Sequence, residues 1–176
     1  MLAAVWLERH TSGIGTMLVL MAFLLPAAMM CLQNLSSGSE AIVATPVGGV
    51  RVSEADARAV RMSVAQIRPT DSLFVFPYEP VFYFLTGARN PTRYFWLQPG
   101  MMSDQDERTA YVELNAHPPD WILYRNIPPA EYLRIWPGTD PARLRMPLIE
   151  DFIRTRYTAY DRARGNDGQR LLLKRR

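Results

Sequence analysis

Between Gly13 and Leu35 the chain carries no charged residue, and Ile14 to Leu32 is almost wholly apolar. A membrane crossing needs roughly 20 predominantly apolar residues, so this stretch is long enough for one. All but one of the 20 Lys and Arg residues lie beyond it. The mean hydropathy of −0.10 averages over that segregation. The pattern excludes a purely soluble globule, a multi-span membrane protein, a disulfide scaffold and a disordered chain.

Three readings of the apolar stretch compete. It is a retained span over 13–35, a cleaved signal peptide, or a leader ending at a lipid-modified Cys31. Pro26 does not exclude a span, because local adjustments satisfy the carbonyl it frees. A nearly neutral leader, with Glu8 beside Arg9, weighs against a signal peptide. Met29 and Met30 are bulky where small residues precede a lipidated cysteine. We take the retained span, with Cys31 as a small apolar member of it. Arg9 precedes the stretch and the next cation after it is Arg51, which orients residues 1–12 as a cytoplasmic leader and places the remainder outside. Residues 36–40 then form a polar linker, and 41–176 one domain of ordinary size. That domain has no cysteine, so it has no disulfide.

Within 41–176, short apolar runs alternate with capped helices. Ala41 to Thr45 reads as extended before a Gly48-Gly49 turn. Ser53 caps a helix whose face is Ala57, Val60, Val64 and Ile67, ended by Pro69. Leu73-Phe-Val-Phe76 and Trp121-Ile-Leu-Tyr124 are uninterrupted apolar runs, the pattern of strands buried on both faces. Arg93-Tyr-Phe-Trp-Leu97 is a third strand candidate. Pro80 and Gly87 bracket a short helix. Ser103 opens an acid-rich helix ended by Pro118-Pro119, and Leu148, Ile149, Phe152 and Ile153 mark another. Ile127 to Arg145 reads as irregular with one helical turn. Thr155–Asp161 and Gln169–Lys174 flank Gly165-Asn-Asp-Gly168 as a terminal antiparallel hairpin. The expected fold is therefore α/β: a single N-terminal transmembrane helix, then a small three-layer domain with a mainly parallel sheet and that hairpin.

Chemistry-bearing motifs are few. No Cys/His spacing suits a metal, and no Gly-rich phosphate loop or nucleophile elbow occurs. No cofactor or metal is expected. Asp104, Asp106 and Glu107 are explained by the helix dipole. Glu79 follows a buried strand, where α/β folds place ligand-facing loops. Arg89, Asn90, Arg93 and Tyr94 follow in one short segment. Either these residues face a ligand, or Glu79 and Arg89 or Arg93 form an ion pair that shapes the loop. The cations Arg170, Lys174, Arg175 and Arg176 form a solvated tail or touch anionic headgroups. Cations spread among acids do not suit nucleic acid.

The stretch Phe74-Val-Phe-Pro-Tyr-Glu-Pro-Val-Phe-Tyr-Phe-Leu-Thr-Gly-Ala-Arg-Asn-Pro-Thr-Arg-Tyr94 resembles the C-terminal extracytoplasmic domain of bacterial GT-C type, family 39-like membrane glycosyltransferases. That group is similar to protein mannosyltransferases and the lipid A aminoarabinose transferase. Pro118-Pro119-Asp120-Trp121-Ile122-Leu123 and the segment Leu148 to Tyr157 look like the same domain's pattern. The resemblance implies a polyprenyl-phosphate sugar donor and transfer outside the cytoplasmic membrane. The family's catalytic acids lie in a many-span N-terminal half that nothing here matches, so no catalytic residue carries over. The expectation is a last span plus terminal domain: a single-pass accessory of such a transferase, without chemistry of its own. Its contact surface would be Glu79, Tyr83, Arg89, Asn90, Arg93 and Tyr94. Its partners would be the bilayer, the multi-span half and the lipid-linked sugar. The competing expectation is a stand-alone single-span module that binds a protein partner or an envelope glycan.

Overall fold

The computed structural model describes residues 21, 22, 24–26, 28, 29, 40–165 and 168–176. Two compact units divide the chain at residue 39. In the first, the described residues are helical, and Met21, Leu24, Leu25 and Met29 are exposed. Among the described residues no helix is long and apolar enough to cross a membrane. The leader over 1–12, most of the expected span over 13–35 with Cys31, and residues 36–39 of the linker lie outside the described residues.

The second unit begins one residue earlier than the linker expectation allows. Glu40 opens β1 (Glu40–Thr45), which pairs antiparallel with β2 (Gly48–Ser53), Glu40 opposite Ser53. The Glu40–Arg51 pair at 3.3 Å closes that end. Ser53 then caps α1 (Glu54–Gln66) by accepting the Asp56 N–H. The chain continues through β3 (Leu73–Phe76), the short α2 (Val81–Thr86) with Gly87 left-handed at its end, and α3 (Asp104–Ala116). Ser103 and Asp106 form a reciprocal capping box at the start of α3. β4 (Trp121–Arg125), α4 (Pro129–Ile135), a 3-10 turn (Pro141–Arg143), α5 (Pro147–Arg156), β5 (Tyr157–Gly165) and β6 (Gly168–Arg175) complete the order.

The main sheet runs β3-β4-β6-β5. Only β3 and β4 are parallel; β4 with β6 and β6 with β5 are antiparallel. The sheet is thus mixed, which corrects the mainly parallel expectation. The reason lies at Arg93–Leu97, the third strand candidate, which is not a strand. There the Asn90 side chain donates to the Tyr94 carbonyl at 2.8 Å and accepts the Thr92 N–H at 3.0 Å. The Arg93 N–H goes to Glu113 instead of a ladder. An Asn side chain that takes up nearby backbone groups competes with sheet pairing. Apart from its pairing with β4, the β3 segment is joined, among the described residues, by a single parallel bridge from Ser72 to Arg89.

Strand alternation sorts the core into two faces. Leu73, Val75, Trp121, Leu123 and Leu172 pack with Ala57 and Val60 of α1, with Ile67 just past its end, and with Phe82 and Leu85 of α2. Phe74, Phe76, Ile122 and Leu173 pack with Ala110 and Leu114 of α3 and Ile149, Phe152 and Ile153 of α5. Helices on both faces make β3 and β4 continuous apolar runs, and they supply the three layers. The β1–β2 hairpin adds Ala41 and Val43 to the α1 side. That cover explains why Ala59 and Met62, off the expected helix face, are also buried.

Candidate functional site

Beyond Phe76 the chain passes Pro77 and Tyr78 and delivers Glu79 to the carboxyl end of β3. The strand beside it ends in Arg125, and the next strand places Arg170 directly opposite Arg125. Both Arg side chains are buried, at 4% and 6% exposure. Like charges at directly opposed positions destabilise a sheet. Glu79 offsets that repulsion. Its carboxylate accepts from Arg170 Nε at 3.0 and 2.9 Å and Nη2 at 2.6 Å, and lies 3.5 Å from Arg125 Nη1. The chain of charges extends both ways. Arg170 Nη1 reaches Asp56 at 3.3 Å, and Asp56 accepts the Ser53 hydroxyl at 2.7 Å. Arg125 Nη2 donates to Glu131 at 3.1 Å. One network therefore joins α1, β6, the β3–α2 turn, β4 and α4.

This geometry corrects two sequence expectations. Glu79 pairs with Arg170 and Arg125, not with Arg89 or Arg93. Arg170 is buried inside the network, not part of a solvated tail.

The other expected surface residues go elsewhere. Tyr83 points its phenol at β3, where its oxygen accepts the Val75 N–H at 2.9 Å; burial pushes its pKa far up. Arg89 uses its backbone in the bridge to Ser72 and exposes its side chain. Asn90 braces its own loop. Arg93 pairs with Glu113 at 2.6 Å, where it is exposed. Tyr94 donates to Asp106 at 3.1 Å, and its pKa is raised by burial first and by the Asp106 bond second. Arg93 and Tyr94 thus tie the loop to α3, and only Glu79 of the six joins the Arg125–Arg170 network.

Outside the carboxyl ends of β3 and β4 lies a crevice of about 310 Å³. Its walls include Phe76, Tyr124, Asn126, Tyr132, Arg145 and Glu150. In open α/β sheets this is the position of ligand sites. Tyr132 belongs to an aromatic cluster that extends behind it. Tyr78 stacks on Trp96 at 5.5 Å and meets Trp136 edge-on at 5.1 Å, and Arg125 lies over the Tyr78 ring at 5.6 Å. Burial drives the Tyr132 pKa well above the ordinary phenol range, and burial followed by Glu150 raises that of Tyr124. Both phenols therefore stay neutral at ordinary pH. The carboxylates nearby are engaged: Glu79 by Arg170, Glu131 by Arg125 and Glu150 by Arg145. A crevice so lined can offer a ligand ring faces and polar side chains. Among the described residues, no group of three or more His, Cys, Asp or Glu side chains could hold a metal ion.

Sequence reasoning missed Arg125, Tyr132, Arg145 and the pairing role of Arg170. The available signal was phase. Arg125 continues the inward alternation of Trp121 and Leu123, and Arg170 that of Leu172, which places both in the interior. No family model matches the chain, and neither a curated protein nor a solved structure does.

Proposed function

We propose that this protein is a membrane-anchored accessory domain of a polyprenyl-phosphate-sugar-dependent glycosyltransferase, working outside the cytoplasm and without chemistry of its own. The crevice at the carboxyl ends of β3 and β4 is its sugar-contacting surface. One observation carries this reading. The crevice combines a ring wall at Phe76, Tyr124 and Tyr132 with polar groups at Asn126 and Arg145, while its carboxylate, Glu150, is held by Arg145. A sugar presents apolar C–H faces to rings and hydroxyls to polar side chains, so the two halves of the wall match the two halves of such a ligand. The resemblance of Phe74 to Tyr94 to the terminal domain of family 39-like transferases supplies the donor class. This crevice replaces the surface expected around Arg89, Asn90, Arg93 and Tyr94, whose side chains, Arg89 apart, are spent on the loop and α3.

The test uses the full chain in bilayer nanodiscs with a polyprenyl-phosphate-linked sugar. Saturation-transfer NMR reads contact at the sugar protons, and product analysis reads transfer. Contact that Tyr132→Ala abolishes, with no transfer, is expected. Absence of contact overturns the binding role, and measurable transfer overturns the accessory role.

A further inference from the structure

A second, larger groove of about 710 Å³ begins where the crevice ends and shares Tyr124, Arg145 and Glu150 with it. It runs beside α5, whose 10 residues span about 15 Å. The floor is the face of the sheet that α5 leaves partly uncovered: Tyr124 of β4, Leu171 and Leu173 of β6 and Ala159 of β5, with Ile153 and Tyr157 as one wall. At the far end stand Arg154 and Arg176.

The charges there are unbalanced in one sense. Asp151 and Glu150, the acids of the groove, are already paired with Arg154 and Arg145. Among the described residues the Arg176 guanidinium donates to the Thr155 and Arg154 carbonyls, at 3.3 and 3.4 Å, and its backbone N–H to the Arg156 carbonyl at 3.0 Å. Arg156, Lys174 and Arg175 stand at this end of the sheet but outside the groove's lining, Lys174 on the α1 face over Trp121. Arg156 lies over the Phe152 ring at 5.0 Å, and Lys174 lies over Trp121 at 5.2 Å and Tyr160 at 5.8 Å. Ring contacts position these cations without neutralising them. Among the described residues no ion pair joins Arg156, Lys174 or Arg176 to a carboxylate, while Arg175 lies close enough to Asp120 to help lower that carboxyl's pKa.

We infer that this groove binds one acyl chain of an anionic phospholipid, with the headgroup phosphate on Arg154 and Arg176. The ligand's two halves follow from the two halves of the site, a narrow apolar floor and a cationic end. An added peptide strand is the alternative occupant of this region, since β5 is a sheet edge. The edge is guarded against it: a bulge between Ala159 and Asp161 breaks the ladder, and Asp161, Arg162 and Arg164 place charges along it. The inference does not depend on any role in sugar transfer.

The test uses the full chain in phosphatidylcholine nanodiscs doped with phosphatidic acid that carries a photoreactive group midway along one acyl chain. The control is phosphatidylcholine with the same group. Adducts are mapped by peptide mass spectrometry. Expected are adducts on residues 148–159 and 169–174, stronger from phosphatidic acid by about fivefold for each cation engaged. The Arg154→Glu/Arg176→Glu variant loses that preference, and Ala159→Trp loses the adducts while the far-ultraviolet circular dichroism stays unchanged. Equal labelling by the two lipids, or labelling confined to the N-terminal apolar stretch, overturns the inference. So does loss of the adducts in inorganic phosphate, which would reassign the cations to a free-phosphate site.

Discussion

Arg125 and Arg170 stand directly opposite each other on neighbouring strands, two buried guanidinium groups that share one carboxylate, Glu79. Glu79 contributes chiefly by what its removal would leave behind. A buried ion pair deprived of one partner is left undercompensated in a poorly solvated place, and here two guanidinium groups lose a shared carboxylate while Asp56 stays on Arg170 and Glu131 on Arg125. Glu79→Gln is therefore expected to destabilise the domain by about 3 kcal/mol. Urea unfolding followed by tryptophan fluorescence measures this. Arg170→Met combined with Glu79→Gln is expected to cost less than the two changes separately, because they act on one network. Strict additivity would show that the contact carries no coupling.

Gly165 ends β5 against that same network. A Cβ at this position would meet Arg170 Nη1 and Asp56 Oδ1. Gly165→Ala must push the pair apart, at an expected cost of about 1–3 kcal/mol. Gly138, where an added Cβ meets nothing within 4 Å, supplies the control: Gly138→Ala is expected to stay within about 0.5 kcal/mol of the parent. Equal stabilities for the two variants in parallel denaturation curves would refute the steric reading.

On the acid side, Asp120 is the group to follow. Its carboxylate accepts the Ser72 N–H at 2.9 Å and the Ser72 hydroxyl at 2.8 Å, bonds that outweigh desolvation and hold its pKa below the ordinary range. A depressed carboxylate contributes stability that is present above its unfolded pKa, about 3.9, and lost as pH falls through the folded value. Asp120 is exposed, so the contribution is small. A carbon-detected NMR titration is expected to place its midpoint below about 3.9 and to move it upward in Ser72→Ala. A midpoint that does not move would remove the hydroxyl from the explanation.

On the alkaline side, the Tyr157 hydroxyl donates to the Pro119 carbonyl at 2.7 Å, and burial pushes its pKa up to about 12. A phenol raised in the folded state favours the protonated form there. Its contribution is complete below the unfolded pKa, about 10, and declines as pH rises from there through the folded value. Tyr157→Phe is expected to cost about 1 kcal/mol at neutral pH and to flatten the stability profile above pH about 10. An unchanged alkaline slope in Tyr157→Phe would assign that slope to other groups.

Much of the fold is written locally. The Ser53 and Ser103 caps, the Gly87 stop and the runs Leu73–Phe76 and Trp121–Tyr124 all sit where the residues predict them. Local signals also produced the error at Arg93–Leu97. Tyr-Phe-Trp-Leu has strong strand propensity, yet Asn90 and Glu113 take the backbone groups that a strand would need for pairing. The sheet that forms has the order β3-β4-β6-β5, and with β3 and β4 its one parallel pair it is mixed.

The candidate site was less legible. Glu79 was marked by its place after a buried strand, but its partner Arg170 is 91 residues away and reads in sequence as one cation of a basic tail. The amino-acid sequence alone determined where helices begin and stop, which runs are buried on both faces, and that one long uncharged stretch precedes the α/β domain. Caps, periodicity and hydrophobic runs act over a few residues and need no distant partner. Tertiary structure alone decided which charges meet, because strand order and register set Arg125 opposite Arg170 and bring Glu79 between them. An ion pair across that separation exists only once the sheet has closed.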